Sequence, residues 1–558
     1  MSDKMVLETQ QWLNRANGSD PRFQRVEENG QTGWPTIYGL TRALQIELGI
    51  DQTADNFGEG TQAKFRQRYP DGVKQQADGD KSTSNIYSII QGALWCKGYS
   101  VGGHISQHFY SGTGTAIENL KNDMGIGGDS TVQLEIMKAL LSMQQFVLLN
   151  SYGGRELVRS AAQKINQDYR GYTGIIPTDG LYGRDMNTAL IQVLQAIEGF
   201  SPDEATGTFG AGTRSRLRMI SAGNADAKWV WLATVCLICN GGGLPMTSTW
   251  SPALEHAMRQ FQDQYGLPIS GNVDSTTWMS LLTSKGDPDR PCVACDTRFV
   301  VDEGFLARLK SDGYQIVGRY LTDNEEDEAG GSPRWRKIVP GELERIIAGG
   351  LKYFPIFQEW ATKPAHFTFD RGAHYAERAT SRASELGVPP TVIYFAVDYD
   401  ALDEEVDSLI IPFFKGINST LGGGYGAGIY ASRNICRRII DAGLASSAFV
   451  SDMSTGFSGN LGFTIPPAWN YDQFTEISGY GGAWDLDRVA YAGRIPACST
   501  TFTEPTPSPD PDPVSPDTDP LLQWAIQTEQ GMSRRPHRGI QAQSDPCRPV
   551  HSRMAPQA

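Results

Sequence analysis

Two carboxylates one residue apart close the segment 391–400, Thr-Val-Ile-Tyr-Phe-Ala-Val-Asp-Tyr-Asp. The apolar, β-rich run before them reads as a parallel strand buried on both faces. Side chains alternate along a strand, so Asp398 and Asp400 emerge on one face with Tyr399 opposite. Paired acids at the C-terminal end of such a strand sit where a β/α barrel keeps its chemistry. The plainer reading is an Asp that caps the following helix. Other strand ends carry a similar set: Asp296 with Arg298 beyond it, then Arg319 and Tyr320, then Gln358, Glu359 and Trp360. Further along come Tyr430 and Ser432, Asp452, Tyr471 and Gln473, and finally Asp485 and Asp487. An acidic bowl lined by aromatics suits glycoside hydrolysis, in which carboxyl groups donate protons and stabilise an oxocarbenium-like centre. Crowded carboxylates raise one another's pKa and keep one acid protonated near neutral pH.

The elements that position these residues begin near residue 290. Strands at 293–298, 314–321, 351–360, 391–398 and 426–432 alternate with helices near 303–311, 340–349, 370–386, 403–421 and 434–442. Such alternation means a parallel sheet with crossover helices. After Gly443 the helices stop, and 448–453, 469–474 and 484–489 read as three further strands. Five βα units plus three strands, over roughly 205 residues, predict an irregular α/β barrel of the TIM type.

The first 285 residues are helical and repeat. Phe-Gly-Glu-Gly-Thr at 57–61 recurs as Phe-Gly-Ala-Gly-Thr at 209–213, and the helix 39–49 reads against 187–199. The motif predicts an aromatic seating the turn, glycines at positive φ and a Thr capping the next helix. Residues 257–278 run from a helix ending in Phe261-Gln262 through Gly-Leu-Pro and Gly-Asn-Val-Asp to Thr-Thr-Trp278. That pattern, with Thr-Asp-Gly-Leu-Tyr-Gly at 178–183 and Thr-Gly-Thr-Phe-Gly-Ala-Gly-Thr at 206–213, resembles the peptidoglycan-binding domain 1 repeat, a small three-helix cell-wall module. The expected multidomain order is one tandem pair of lobes over 1–145, a second over 146–285 and a barrel over 290–497. A linker, Ser-Lys-Gly-Asp-Pro-Asp-Arg-Pro, precedes the barrel at 284–291. A Pro-rich linker at 503–520 and a disordered tail to 558, with a short helix candidate at 521–526, follow it.

Ordered motifs along the barrel segment carry a second resemblance. They are Cys295-Asp296, Val-Gly-Arg-Tyr-Leu at 317–321, Phe-Pro-Ile-Phe-Gln at 354–358, the run ending in Asp398 and Asp400, Gly-Ile-Tyr at 428–430 and Trp-Asp-Leu-Asp at 484–487. The segment resembles a glycoside-hydrolase-like domain once catalogued as a domain of unknown function, which is similar in turn to the family 25 lysozymes. The resemblance implies that Asp296, Asp398 with Asp400, and Asp485 or Asp487 form the site. In the implied mechanism Asp400 or Glu359 protonates the glycosidic oxygen and Asp398 orients the 2-acetamido group. Asp296 and Asp485 hold the sugar, and Tyr320, Trp360, Tyr430 and Trp484 form the floor. Arg319, Gln358, Gln473 and Asp487 complete the substrate-binding set, with no metal and no cofactor. The chain departs from the lysozymes at Asp400, where they carry Glu; one methylene less holds the acid about 1.5 Å further back, a displacement worth on the order of 100-fold. It departs again at Ser451-Asp-Met453, where the family has Trp-Gln.

Bulk properties bound the partners. A net charge of −14 and a pI of about 5.1 argue against nucleic-acid binding. No run approaches a membrane span, and the first residues carry no apolar signal core. Cys236/Cys239 and Cys292/Cys295 form Cys-x-x-Cys pairs, but no His flanks either at ligand spacing, so they read as packed thiols and not as zinc ligands. The expectation is an extracellular or wall-associated monomer that hydrolyses peptidoglycan or another wall polysaccharide. The alternative is a non-catalytic wall-glycan binder with a degenerate barrel.

Overall fold

The computed structural model describes residues 2–324 and 336–502. The tail from 503 onward, with its expected linker and short helix, lies outside the described residues. No described helix is long and apolar enough to cross a membrane.

The N-terminal region is built from helices in two copies. The first holds α1 (Lys4–Asn17), α2 (Trp34–Glu47), α3 (Glu59–Arg68), α4 (Asn85–Cys96), α5 (Ser111–Asp123) and α6 (Leu134–Leu140). The second holds α7 (Glu156–Asp168), α8 (Arg170–Thr173), α9 (Arg184–Ile197), α10 (Ala211–Arg216), α11 (Ala227–Cys239), α12 (Pro252–Gln264) and α13 (Ser275–Leu282). Each copy is pinned by a long-range antiparallel bridge, Val73 with Val132 and Ile220 with Val273.

A recurring buried glutamine explains the repeated sequence. Gln45 donates to the Thr61 hydroxyl at 3.1 Å and accepts the Ala54 amide at 2.7 Å. Gln195 does the same with Thr213 (3.1 Å) and Gly207 (3.0 Å), and Gln262 with Thr277 (3.1 Å) and Gly271 (2.8 Å). Gln10 with Thr36 and Gln91 with Thr113 repeat the arrangement. One amide thus satisfies a loop N–H and a helix hydroxyl that would otherwise be buried unpaired. This corrects the expected role of the Phe-Gly-x-Gly-Thr motif. The helices are preceded by Gly58 (φ −72°) and Gly210 (φ −100°), neither at positive φ, and Thr61 and Thr213 sit inside the helix facing the glutamine instead of capping it.

The second region is a closed barrel of eight strands. They are β1 (Ala294–Asp296), β2 (Ile316–Tyr320), β3 (Lys352–Phe357), β4 (Val392–Ala396), β5 (Gly426–Ala431), β6 (Ser447–Val450), β7 (Trp469–Tyr480) and β8 (Trp484–Tyr491). β1 to β7 pair in parallel, and β8 runs antiparallel to both β7 and β1. Three residues join β7 to β8, too few for the crossover a parallel pair requires. Helices follow β1 through β5 and none is described after β6 or β7. Inside, Phe354 stacks on Tyr471 with centroids 3.8 Å apart, and Tyr394 and Phe449 pack edge-on against them. A Cβ at Gly318 would lie 2.4 Å from the Phe354 ring, so only glycine admits that aromatic plug.

The segment read as a linker, 284–291, is packed and not free. Arg290 is buried, pairs with Asp472 at 2.7 Å and lies 3.7 Å from the Phe474 ring centre. Arg433 pairs with Asp452 and donates to the Ser284 carbonyl. The core of the second helical copy is continuous with that of the barrel, whereas the first copy has its own.

Replacing Gln262 with Leu removes the partner of the Gly271 amide and the Thr277 hydroxyl. Expected is a loss of about 1–3 kcal/mol of stability and faster hydrogen exchange at the Gly271 amide. Unchanged protection there would refute the role given to the glutamine.

Candidate active site

The register of the closing strands sets the chemistry. Asp296 of β1 pairs with Asp487 of β8, and Asp487 pairs with Glu476 of β7. Three carboxyl side chains therefore stand in a row across three strands, where like charges directly opposite one another are unfavourable. Gln473 relieves part of this. Its amide nitrogen donates to Asp296 Oδ1 and to Asp487 Oδ2, both at 2.9 Å, and its Oε1 accepts the Tyr430 hydroxyl at 2.7 Å. Tyr320 donates to Asp296 Oδ2 at 3.3 Å.

Protonation relieves the rest. Burial, with Asp296, Glu476 and Asp485 nearby, pushes the Asp487 carboxyl up to about 9. Burial also raises Asp296, to about 7, against the bonds from Gln473 and Tyr320 that favour its charged form. Burial raises Asp398 as well, opposed by the Gln358 amide, which donates to Oδ2 at 3.0 Å, and by the Arg336 charge. The row is a reservoir for a proton at a pH where ordinary carboxyls have lost theirs.

Above the row opens a polar hollow of about 350 Å³. Tyr320, Gln358, Asp398, Tyr430, Gln473, Asp485 and Asp487 line it, and Asp296 lies sealed beneath, hydrogen-bonded to two of them. The structure thus brings these eight sequence-predicted residues together. On β8 the order is inverted: Asp485 and Asp487 stand at the strand's start, and the antiparallel direction carries that start to the mouth formed by the ends of the parallel strands. Asp485 is held by Arg298 at 2.7 Å and by the Gly479 amide at 3.1 Å.

Five other predicted residues lie elsewhere. Arg319 alternates with Gly318 and Tyr320, so it points outward and forms a fully buried ion pair with Glu342 at 2.6 Å. Glu359 follows the inward Gln358 and pairs with Arg378 at 3.0 Å behind the strand. Trp484 precedes the inward Asp485 and stacks on Phe305 with centroids 4.5 Å apart. Trp360 lies beyond the end of β3, its ring beside His366. Asp400 lies beyond the end of β4, exposed, and accepts the amide and hydroxyl of Ser458, both at 2.7 Å. The acid role expected of Asp400 or Glu359 therefore has no support in their positions. Asp452, noted at the sixth strand end, faces Arg433 and not the hollow.

The sequence reading missed Glu476 and Arg336. A register shift between Gln473 and Thr475 breaks the alternation of β7, so Glu476 joins Gln473 at the hollow. Arg336 comes from the loop after β2, with its guanidinium 5.0 Å from the Tyr320 ring centre and donating to the Gln358 carbonyl.

The raised acids predict a sign for the pH dependence of stability. Between an unfolded value near 4 and the folded value of about 9 for Asp487, the folded chain holds a proton that the unfolded chain has lost. Stability therefore falls as pH rises through that window. The thermal midpoint is expected to decline from about pH 5 to pH 9, and more shallowly in Asp487→Asn. Parallel declines in both proteins would refute the shared-proton account.

Comparison with known proteins follows this division of the chain. A family profile described as Rv2525c-like, glycoside hydrolase-like domain matches residues 307–496. One described as FadG/YbfG, PGDB-like domain matches residues 151–282. YbfG of Bacillus subtilis is 42% identical over 543 residues, covering 95% of this chain and 71% of that protein. FadG of the same organism is 43% identical over 486 residues, covering 85% and 82%. Among solved structures, the Tat-secreted protein Rv2525c of Mycobacterium tuberculosis in complex with HEPES is 20% identical with a TM-score of 0.29, over 36% of this chain and 96% of that one. A B. stearothermophilus protein is 16% identical with a TM-score of 0.26, over 36% and 96%. The chain belongs to the family of YbfG and FadG, and joins a PGDB-like helical domain to an Rv2525c-like, glycoside hydrolase-like barrel.

Proposed function

We propose that the barrel hydrolyses a glycosidic bond of peptidoglycan or another cell-wall polysaccharide outside the cytoplasm, and that the helical copies hold the wall. The observation that carries this reading is the convergence of Asp296, Asp398, Asp485 and Asp487 on one hollow, where burial and the neighbouring carboxyls push Asp487 up to about 9. In this reading Asp487 gives its proton to the glycosidic oxygen as the C–O bond breaks. Asp398, which burial raises while Gln358 and Arg336 act to keep it charged, stabilises the positive charge at the anomeric carbon or orients a 2-acetamido group that does so. Water then adds to that carbon and returns a proton to Asp487. Asp296 tunes Asp487 through Gln473, and Tyr320 and Tyr430 shape the floor. The proton donor is then Asp487 on the closing strand and not Asp400, a departure from the lysozyme-like expectation. Wall binding by the helical copies raises the effective concentration of substrate at the barrel.

The second reading is a barrel that binds wall glycan without cutting it. The placement of Asp400 favours it, because the residue aligned with the lysozymes' proton donor is tied to Ser458 outside the hollow.

Release of reducing ends from purified peptidoglycan, and from the remaining wall polysaccharide, tests the two. Asp487→Asn and Asp398→Asn are each expected to lose about 100-fold or more. Equal release by wild type and both variants would end the hydrolase reading. Retained pull-down by wall material with no release from the wild type would establish the binder.

A further inference from the structure

A cavity of about 930 Å³ lies in the helical region, larger than the barrel hollow. Both copies build it. The first contributes Trp34 and Tyr38 of α2, Asp55 before α3 and Glu135 of α6; the second contributes Asp179 and Asp185 around the start of α9. Its volume is at the upper end of the roughly 300–1,000 Å³ typical of small-molecule sites.

Two features of the lining point to a class of ligand. The first is an open aromatic face. Trp34 is 52% exposed, the one tryptophan among the exposed large hydrophobic side chains of the described residues. It is held flat against Tyr38, one helical turn later, with centroids 5.4 Å apart and planes 26° from parallel. A rigid indole open to water offers apolar area to a flat partner and an N–H at its edge. The second is a set of acceptors fixed from behind. Arg42 holds Asp55, Arg170 holds Glu135 at 3.5 Å, and the Gln144 amide holds Asp185 at 3.0 Å. Asp179 accepts the Leu181 amide at 2.9 Å. Asp55 and Asp185 are exposed and Glu135 and Asp179 half-buried, each with a named partner and lone pairs to spare.

A pyranose ring matches both features. Its C–H face stacks on an indole, and its hydroxyls donate to carboxylates. An apolar peptide or lipid would take water from the acceptors' remaining lone pairs and put nothing in its place. A polyanionic chain would meet four carboxylates against Lys138 alone as a lining cation. We infer that the cleft between the two helical copies is a second saccharide site, separate from the barrel hollow, and that it takes an uncharged pyranose oligosaccharide stacked on Trp34. This inference rests on the polysaccharide reading of the chain and locates where the helical region grips its polymer.

The test is calorimetric titration of the full chain carrying Asp398→Asn, with linear hexasaccharides of glucose and of N-acetylglucosamine as probes. At least one is expected to bind, with affinity reduced at least tenfold by Trp34→Ala and partly restored by Trp34→Phe. Tyr152→Ala, an exposed aromatic outside the cleft, is expected to bind as the parent does. Matched thermal midpoints show that the variants are folded. Binding that is indifferent to Trp34, binding of neither probe, or tighter binding of an oligogalacturonate of equal length each overturns the inference. Absence of reducing-end release by the wild-type chain ends the hydrolase reading and leaves this one standing. Intact release without Trp34-dependent binding does the reverse.

Discussion

Three acids aligned across β1, β8 and β7 are the constraint around which the barrel's mouth is built. Strand pairing forces Asp296, Asp487 and Glu476 into register, and the Gln473 amide bridges Asp296 and Asp487. A low-dielectric wall makes such a row untenable when fully ionised, so it keeps a proton. The Gln473 amide that touches both Asp296 and Asp487 is itself fixed by Tyr430, which lies on the opposite side of the hollow on β5. Loss of either tyrosine bond would therefore reach the acids without altering a carboxyl group. Acid–base character here is a property of the closed barrel and not of one residue.

Closure by an antiparallel strand is what makes the row possible. In a barrel of parallel strands only, the start of the last strand would face away from the mouth. Here the short Gly-Gly-Ala turn after β7 sends β8 back, and its first acids arrive beside the C-terminal ends of β1 and β7. Gly481 and Gly482, both at positive φ, supply a turn that residues with a Cβ rarely adopt.

Much of this was legible from alternation. Tyr320, Gln358, Tyr430, Gln473, Asp485 and Asp487 share the inward parity of their strands, and the sequence places them together. The same rule, applied to alternate positions, excludes Arg319, Glu359 and Trp484, yet their residue types suggested a site. Their partners Glu342, Arg378 and Phe305 sit on the helical layer, which no local pattern reveals. Asp400 and Trp360 failed differently: the strands end at Ala396 and Phe357, and the inward parity that still places Asp398 and Gln358 just past those ends lapses two residues further on. Glu476 was hidden by a bulge, which changes parity without leaving a clear mark in composition. In the helical region the repeat itself was plain, but the glutamine clamp that causes it was not, because Gln45 and Thr61 lie apart in sequence and meet only in the folded lobe.

The two helical copies meet differently from the way the second copy meets the barrel. The second copy shares one apolar core with the barrel, sealed by the Arg433–Asp452 and Arg290–Asp472 pairs. Between the copies Ile175 packs on the first copy's core, and polar ties add to it: Asn166 donates to the Met124 carbonyl, Gln163 to the Asp123 carbonyl, and Arg159 pairs with Asp123 at 2.6 Å. Trp34 with Tyr38 stands at the edge of this seam, the indole open to water. An open tryptophan at an otherwise well-paired seam keeps its hydration cost until something stacks on it. The fold thus joins barrel and second copy through one apolar core and leaves an exposed aromatic face at the seam between the copies.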